Sequence, residues 1–362
     1  MPMFLKSIGF SIVLIGILEG LAEAVAGLSK GYFGKLSDST GRRVPFVQAG
    51  YALSALSKPM MALLIAPLWI FFARTLDRVG KGLRTGARDA LLSAEATPAT
   101  KATVFGFHRS MDTLGAVIGP AIALVYLYFY PADYTTLFQL AFIPGVLAIL
   151  VSLFIKESGK AATPPKGKPV PFFAFLHYWK TSPAAYRKLV AGLLVFALFN
   201  SSDVFLLLKA KQAGLTDTQV IGIYIFYNLI YALFALPLGM LADKWGLKTI
   251  FMTGLGLFAI VYGGMAISHS FWVIGFLFFL YGIYAAATEG IAKAWISNLV
   301  PGEDTATAIG SYSGFQSICG LLASSLAGIV WYTFGSTATF LLSALVAMGV
   351  LVYFYRMQSA SR

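Results

Sequence analysis

The sequence predicts an all-α protein that crosses a membrane many times. Its 362 residues are 58% hydrophobic and 12% charged, and the mean hydropathy of +0.77 does not describe a soluble domain with one core. Lipid offers the backbone no hydrogen-bond partner, so the long apolar segments must be helices. The segments that approach or reach spanning length are 141–155, 220–241, 250–267 and 337–355.

The positive charge of the chain is distributed as in a membrane protein. The net charge is +12, but lysine and arginine cluster between the apolar segments, as the positive-inside rule expects of cytoplasmic loops. We therefore expect the lipid bilayer, and no nucleic acid, as a partner. We also expect a multi-pass protein of the plasma (inner) membrane with a cytoplasmic central linker and C-terminus.

The sequence carries none of the usual signals of catalysis or of a bound cofactor. Lys81 is followed by Gly82, which does not fit a phosphate-binding loop. The three histidines are far apart in sequence, no nucleophile motif of the G-x-S-x-G type is present, and the single cysteine, Cys319, lies in an apolar segment. The sequence therefore predicts a protein that is not an enzyme and has no cofactor and no metal site.

The chain repeats itself. GKLSDSTGRR at 34–43 matches GMLADKWGLK at 239–248, an offset of 205 residues (239 minus 34). Gly106 pairs with Gly310 at an offset of 204 (310 minus 106). A nearly constant offset indicates two homologous halves, joined by a stretch rich in lysine and proline. The predicted divisions are an N-terminal helical bundle at 1–156, a cytoplasmic linker with an interfacial aromatic segment at 157–185, and a C-terminal bundle at 186–362.

The repeat extends the helix prediction to a segment that hydropathy alone misses. The charged stretch 68–92 aligns with 271–297, a plain membrane helix, and is predicted to be a helix as well. This gives five spanning helices in the first half and six in the second, eleven in this chain. The opening helix of the second half, 186–208, has no counterpart in the first half. We therefore expect the opening helix of the first half to lie before residue 1. The predicted helices are 9–34, 45–66, 68–92, 105–129, 134–156, 186–208, 218–241, 248–268, 271–297, 306–332 and 336–356.

Two halves, each with the pattern G-x-L-x-D-x-x-G-x-[KR] after its second helix, resemble the major facilitator superfamily. The resemblance covers the chain apart from the absent first helix and implies two pseudo-symmetric helical bundles. It also implies that the repeated motif is a cytoplasmic gating loop whose aspartate helps to clamp helices of the two halves together. The motif residues are Gly34, Asp38, Gly41, Arg42 and Arg43 in the first copy and Gly239, Asp243, Gly246 and Lys248 in the second.

Two weaker patterns bear on the direction of transport. RTLDRVGKG at 74–82 resembles the fourth-helix motif that the family associates with proton-coupled exchange, although Asp77 and Arg78 depart from it. GAVIGPAIA at 115–123 resembles the fifth-helix signature of antiporters, without its closing glycine pair. Small residues at this spacing also serve ordinary helix packing, but the patterns favour antiport over symport. The matching residues of the second pattern are Gly115, Gly119 and Pro120.

Charges inside predicted membrane helices are functional candidates, because a charge that faces lipid costs on the order of 3 kcal/mol. In helix 68–92 the charges recur at three- and four-residue spacing and form one polar stripe. The stripe must face a watery cavity, partner charges or the cytoplasmic end. Arg84 and Arg88 lie near the helix end, so the deeper charges are the better cavity candidates. These candidates are Arg74, Asp77, Arg78 and Lys81.

Other helices carry further candidates for substrate binding or proton coupling. Glu19 and Glu23 share one helix face, so one of them can carry a proton at neutral pH. Glu289 and Lys293 form a possible structural pair at i,i+4 spacing, and for His108 an interfacial role stays open. The full set is Glu19, Glu23, His108, Arg109, Asp112, Asn200, Asp203, Glu289 and Lys293, with Asn200 to Asp203 predicted to interrupt helix 186–208.

The predicted function is secondary active transport by alternating access, with proton-coupled export (antiport) of a small amphiphilic or anionic compound favoured. Two alternatives stay open: proton- or sodium-coupled uptake of a small solute, and a non-transporting membrane receptor or scaffold on the same fold. The expected partners are a small-molecule substrate and a coupling ion, either a proton or sodium. Aromatic residues of the second half offer a lining suited to an amphiphile, although such residues more often serve helix packing.

Overall fold

The computed structural model describes Leu5, Gly9, Phe10 and residues 12–64, 66–157 and 171–357. Over these residues the secondary structure is helical, without strands, which confirms the all-α prediction. The α-helices are α1 Ile12–Thr40, α2 Val44–Leu63, α3 Pro67–Ala94, α4 Lys101–Phe129, α5 Tyr134–Ser152, α6 Ala174–Thr181, α7 Ala184–Phe199, α8 Val204–Gln212, α9 Asp217–Trp245, α10 Leu247–Ile267, α11 Phe271–Asn298 and α12 Thr305–Arg356, the last preceded by a 3₁₀ turn at Gly302–Asp304.

The helices provide the eleven membrane-length segments that the sequence predicts. Helix α12 has 52 residues and would measure about 78 Å if straight, far beyond a bilayer core of about 30 Å. Gly335, with φ 85°, divides it into two segments. Helices α7 and α8 together form one candidate span, Ala184–Gln212. In the described residues, α1–α5 therefore supply five segments and α7–α12 six, while the short α6 lies in the predicted interfacial stretch.

The repeated motif lies mostly on helices, which corrects its assignment to a loop. Helix α1 continues to Thr40 and α9 to Trp245, so the motif glycine and aspartate of each copy occupy the last turns of a helix. The chain turns only at the second motif glycine, Gly41 with φ 64° and Gly246 with φ 96°. These left-handed conformations favour glycine because it has no Cβ.

The chain forms two compact units, each built from three stretches of sequence. Unit 1 comprises Met1–Glu95, Gly119–Ser182 and Val300–Ile318. Unit 2 comprises Ala96–Ile118, Pro183–Leu299 and Cys319–Arg362. Unit 1 therefore contains the start of α12, and unit 2 contains the start of α4, although each of these helices belongs by sequence to the other half. The sequence-based bundles 1–156 and 186–362 stay a prediction.

Small residues bring helices of each unit close together. In unit 1, α2 and α3 cross at Gly50 and Gly80, where a Cβ built on Gly80 lies 2.7 Å from the Gly50 carbonyl oxygen. In unit 2, a Cβ built on Gly282 of α11 lies 2.8 Å from the carbonyl oxygen of Tyr227 on α9. Glycine at such crossings permits backbone contact without a steric clash. The polar side chains of neighbouring helices are thereby held within hydrogen-bonding distance.

Candidate functional site

An aspartate at the end of α1 binds the beginning of α12 within unit 1. Oδ2 of Asp38 accepts hydrogen bonds from the backbone nitrogen of Thr307 at 2.6 Å and from its hydroxyl at 2.7 Å. Arg43 donates to Oδ1 of Asp38 at 3.4 Å and to the carbonyl oxygen of Gly302 at 2.7 Å. The first N–H groups of a helix lack intrahelical partners and carry positive partial charge, so a carboxylate is well placed there.

The second copy of the motif repeats this contact within unit 2. Oδ1 of Asp243 accepts from the backbone nitrogen of Ala102 at 3.0 Å. Its Oδ2 accepts from the backbone nitrogen of Thr103 at 2.7 Å and from the Thr103 hydroxyl at 2.6 Å. Thr103 and Thr307 are separated by 204 residues (307 minus 103), the offset of the sequence repeat. The carboxylate and its threonine therefore recur as a unit.

The first glycine of each motif makes this docking possible. A Cβ built on Gly34 would lie 2.4 Å from the carbonyl oxygen of Ala306, and one built on Gly239 would lie 2.4 Å from the carbonyl oxygen of Ala102. Any larger residue therefore pushes against the backbone of the docked helix. The motif glycine and aspartate act together, since one permits the approach and the other binds the helix end.

The basic residues of the motifs differ in their contacts. Arg42 is exposed. Lys248 donates from Nζ to the carbonyl oxygen of Met357 at 2.6 Å and binds the end of α12, where a cation is favourable. Glu157, which sequence reasoning did not single out, accepts from the backbone nitrogens of Arg43 at 2.6 Å and Val44 at 3.0 Å and so binds the beginning of α2.

Asp38 lies in the last turn of the 29-residue helix α1, beyond the length that a bilayer core of about 30 Å requires. Burial raises its pKa from an ordinary 3.8 to about 6, partly offset by the hydrogen bonds from Thr307 and by the charge of Arg43. The neighbouring carboxylate of Asp304 adds a smaller increase. The docked carboxylate therefore titrates closer to neutral pH than a solvated one.

A cluster of charges connects the helices of unit 1. Oδ1 of Asp77 on α3 forms an ion pair with Nζ of Lys58 on α2 at 3.0 Å, and its Oδ2 lies 3.5 Å from Nη1 of Arg74. Arg78 forms an ion pair with Glu23 on α1 at 3.2 Å. The Glu23 side chain is 49% exposed, whereas the side chains of Arg74, Asp77 and Arg78 are 14–18% exposed. The sequence leaves three surroundings open for the polar stripe: a watery cavity, partner charges or the cytoplasmic end. Arg74, Asp77 and Arg78 lie beside partner charges.

The remaining predicted residues near this cluster are placed as follows. Glu19 lies on α1 one turn before Glu23, and its side chain is outside the described part of the chain. Lys81 is exposed, and its carbonyl oxygen accepts from the Thr85 hydroxyl at 2.6 Å. Arg84 donates to Ser54 on α2 at 2.8 Å and lies over the Tyr51 ring, 4.6 Å from its centroid. The stripe thus continues along the contact between α2 and α3.

Sequence reasoning missed Lys58, although a signal for it was present. Lys58 stands alone in an apolar segment and directly precedes Pro59. A lysine within a predicted membrane helix indicates a partner charge by itself. Its partner was hidden because Asp77 lies 19 residues away on the next helix (77 minus 58), so spacing along one helix could not connect them.

A second cluster, the Arg109 cluster, connects three helices of unit 2. Arg109 on α4 forms ion pairs with Glu289 on α11 and, at 3.0 Å, with Asp112. Its Nε donates to the Tyr231 hydroxyl on α9 at 2.5 Å. Arg109 lies eight residues into α4, which places it about 12 Å from the helix start. The Asp112 and Glu289 side chains are 50% and 45% exposed, so both carboxylates are open to a ligand or a proton.

The partners in this cluster include residues of other helices, beyond the local pair that the sequence suggests. The sequence predicts a Glu289–Lys293 pair at i,i+4 spacing and leaves an interfacial role open for His108. In the structure Asp112 and Glu289 both form an ion pair with Arg109. His108 and Lys293 are partly buried. Arg109 and Glu289 are 180 residues apart (289 minus 109), and local periodicity cannot detect such a contact.

The predicted break in the first helix of the second half is confirmed. Helix α7 ends at Phe199 and α8 begins at Val204, with Asn200 to Asp203 between them. Oδ2 of Asp203 accepts from the Tyr227 hydroxyl at 2.5 Å and Oδ1 from the Tyr281 hydroxyl at 2.7 Å. Two aromatic residues of the second half therefore bind a carboxylate rather than serving packing alone.

The antiporter-like residues lie on the surface of the described chain. Gly115, Gly119 and Pro120 are exposed on α4, which runs unbroken through the proline. A Cβ built on Gly115 meets no described atom within 4 Å. The close helix approach expected from this spacing is therefore absent at Gly115 in this structure.

Neither cluster is built like a site for a transition metal. Among the described residues, no group of three or more histidine, cysteine, aspartate or glutamate side chains is arranged to hold a metal ion. The carboxylates of the Arg109 cluster are bound to a guanidinium instead. Such an arrangement can exchange protons and bind the polar group of a small molecule.

Comparison with known proteins identifies a family match over the whole chain. A family model described as Major Facilitator Superfamily matches residues 1–227 and 204–362. An uncharacterized MFS-type transporter of Methanocaldococcus jannaschii is 31% identical over 362 residues, covering 98% of this chain and 89% of the relative. A Lactococcus lactis protein named as a multi-drug resistance efflux pump PmrA homolog is 23% identical and covers 91% of this chain and 82% of its own length.

Solved structures give the same fold. The human organic anion transporter MFSD10 superimposes with a TM-score of 0.81 at 15% identity, covering 98% of this chain and 88% of that one. FucP, a Major Facilitator Superfamily transporter in the outward conformation, superimposes with a TM-score of 0.80 at 13% identity, with coverages of 99% and 94%. At this level of identity the likeness establishes the architecture.

Proposed function

This chain belongs to the major facilitator superfamily and is a multi-pass membrane transporter, not an enzyme, and we propose that it exports a small amphiphilic compound in exchange for protons. The observation that carries the proposal is the Arg109 cluster. Two half-exposed carboxylates share one guanidinium there, within a membrane helix bundle. Ionisable groups at this depth are costly to maintain and favour a role in transport.

The cluster offers a direct route to exchange. Asp112 and Glu289 each form an ion pair with Arg109, and each is about half exposed. A proton can bind either carboxylate, and so can a substrate that presents a cationic or hydrogen-bond-donating group. Because both ligands compete for the same carboxylates, binding of one favours release of the other. Competition of this kind produces antiport when the site opens first to one side of the membrane and then to the other.

The direction of export is supported by two similarities. The Lactococcus lactis relative carries the name of an efflux pump homolog. Gly115, Gly119 and Pro120 resemble the fifth-helix signature of antiporters. The lysine- and arginine-rich loops favour a cytoplasmic central linker and C-terminus in the plasma membrane. In this orientation the docked ends at Asp38 and Asp243 lie on the cytoplasmic side and take part in gating as the two halves alternate.

A small organic anion is the second candidate substrate, because the Arg109 side chain is 28% exposed beside its carboxylates. An anion that bound Arg109 would displace its carboxylates, and the freed carboxylates would then take up a proton. Anion and proton would therefore move together. The direction of proton movement distinguishes the two substrates.

The proposal is tested in inside-out membrane vesicles that contain the protein, with a dye that reports the pH gradient and a panel of cationic, neutral and anionic amphiphiles. We expect an exported compound to collapse the gradient, and we expect Glu289→Gln to abolish the response. The matched control is Asp133→Asn, because Asp133 caps α5 outside the membrane helices and asparagine also caps helices well. No response across the panel, or an unchanged response in Glu289→Gln, would contradict proton exchange at this cluster.

A further inference from the structure

The break between α7 and α8 lies within a membrane span and exposes backbone groups there. The two helices form one candidate span, Ala184–Gln212, interrupted at Asn200 to Asp203. The last carbonyl groups of a helix have no partner within that helix. In lipid these groups need a substitute partner, and the broken helices of transporters commonly provide it by coordinating an ion.

The carboxylate at this break is bound only by neutral groups. Asp203 accepts hydrogen bonds from the hydroxyls of Tyr227 and Tyr281. In the described part of the chain no lysine or arginine forms an ion pair with it. A carboxylate has about four lone-pair positions, and the two tyrosines use two of them. Two lone-pair positions of the carboxylate therefore remain without a donor.

Three further oxygen atoms at the break are buried without a hydrogen bond. They are Oδ1 of Asn200, Oγ of Ser201 and the hydroxyl of Tyr262, none of which has a partner among the described residues. The Ser201 and Tyr262 residues are 4% and 0% exposed. The Tyr262 hydroxyl lies close to the hydroxyls of Ser201 and Tyr281. Unsatisfied buried oxygens are uncommon, because each costs about 1–3 kcal/mol.

Neighbouring contacts connect these residues to the partners of Asp203. The side-chain nitrogen of Asn200 donates to the Tyr284 hydroxyl at 3.1 Å, which leaves the amide oxygen on the other side of the group. The Tyr262 ring stacks on Phe258 with centroids 3.9 Å apart and lies 6.4 Å from the ring of Tyr281, whose hydroxyl binds Asp203. Asp203, Asn200, Ser201 and Tyr262 thus belong to one group of neighbouring side chains within unit 2.

We propose that this helix break, lined by Asp203, Asn200, Ser201 and Tyr262, binds a sodium ion. Carboxylate, amide and hydroxyl oxygens are hard ligands that suit a hard cation, and the absence of thiol or imidazole among them disfavours a transition metal. One carboxylate balances one positive charge, which favours a monovalent over a divalent ion. Carbonyl groups of the interrupted backbone supply further ligands. The proposal does not depend on the proton exchange proposed at the Arg109 cluster.

The test is the thermal stability of the purified full-length protein in detergent, in sodium, potassium or choline chloride at equal ionic strength. A ligand that binds the native state raises the melting temperature in proportion to its occupancy. We expect sodium to raise the melting temperature above that in choline, with a smaller effect of potassium. Ser201→Ala removes one ligand and is expected to raise the sodium concentration of half-effect about tenfold. Ser202→Ala, its exposed neighbour, is the matched control and is expected to respond like the unaltered protein.

A second variant and a direct measurement keep the test decisive. Asp203→Asn removes the charge and is expected to abolish the difference between sodium and choline. If this variant does not fold, binding of radioactive sodium to Ser201→Ala and Ser202→Ala replaces it, with weaker binding expected in the first only. Equal melting temperatures in sodium and choline, the same response to potassium as to sodium, or an unchanged sodium response in Ser201→Ala would overturn the proposal. The first of these results would mean that a proton alone compensates Asp203.

Discussion

At the scale of single residues, each docked helix end depends on one glycine and one carboxylate. The glycine brings the two backbones into contact, and the carboxylate then reaches the free N–H groups of the docked helix. Asp38 and Asp243 each bind a backbone nitrogen and a threonine hydroxyl in this way. Docking is therefore sensitive to a single added methyl group and to the charge of a single side chain.

Gly34→Ala is expected to destabilise the protein by about 1–3 kcal/mol, because its new Cβ would lie 2.4 Å from a backbone carbonyl oxygen that cannot move without its helix. The matched control is Gly256→Ala on α10, where the nearest atom is Leu351 Cδ1 at 3.8 Å. Alanine favours a helix over glycine by up to about 1 kcal/mol, so this control is expected to be neutral or stabilising. Melting temperatures in detergent check both, and equal losses would contradict the clash.

Docking of Asp38 is expected to strengthen as the pH falls. The buried carboxylate has a pKa of about 6 against an ordinary 3.8, so the docked state binds a proton more tightly than the undocked state. The stabilisation is complete below 3.8 and is lost as the pH rises through 6, a difference of about 3 kcal/mol.

The measurement is the melting temperature of the unaltered protein and of Asp38→Asn as the pH is lowered through this window. Asparagine does not titrate, so the unaltered protein is expected to gain stability relative to the variant. A relative loss of stability on acidification would mean that the hydrogen bonds from Thr307 hold the ionised form more strongly than burial opposes it.

At the scale of helices, the ion pair between Lys58 and Asp77 connects α2 to α3. Lys58→Met is expected to cost about 1–3 kcal/mol, because Asp77 then loses its closest cation and keeps the longer contact with Arg74. The double variant Lys58→Met/Asp77→Asn is expected to cost less than the sum of the single changes, because no unpaired charge remains. Lys244→Met changes an exposed lysine and serves as the control. Additive losses in melting temperature would show that the pair is not coupled.

The helices could be predicted from the sequence, whereas their contacts could not. Apolar length and the internal repeat together predicted the membrane-length segments of the described chain. The repeat was needed for charged α3, because that segment aligns with 271–297, whose apolar composition indicates a membrane helix. Helix ends were less accurate, since α1 continues through Asp38 where polarity suggested a loop. The partners of Asp77 and Glu289 were missed because each lies on a different helix. Side-chain partners follow from packing, and packing is not visible in linear spacing.

At the scale of the whole molecule, the sequence repeat corresponds to a repeated contact between an aspartate and the start of a helix. The motif aspartate of each half binds the start of a helix that lies in the other half of the sequence. In the described part of the chain the ionisable clusters differ between the units: unit 1 has its cluster on α1–α3, and unit 2 has the Arg109 cluster and the helix break. The duplicated contacts favour a gating role common to both halves, while the unique clusters favour roles in coupling and substrate binding.

The central claim is that substrate and proton compete for the carboxylates of the Arg109 cluster. The most direct test measures proton release or uptake when the purified protein, in weakly buffered detergent, binds a compound identified by the vesicle assay. We predict proton release on binding, and a smaller release in both Glu289→Gln and Asp112→Asn than in the control Asp133→Asn. Proton uptake on binding, or binding with no proton change, would contradict exchange at this site.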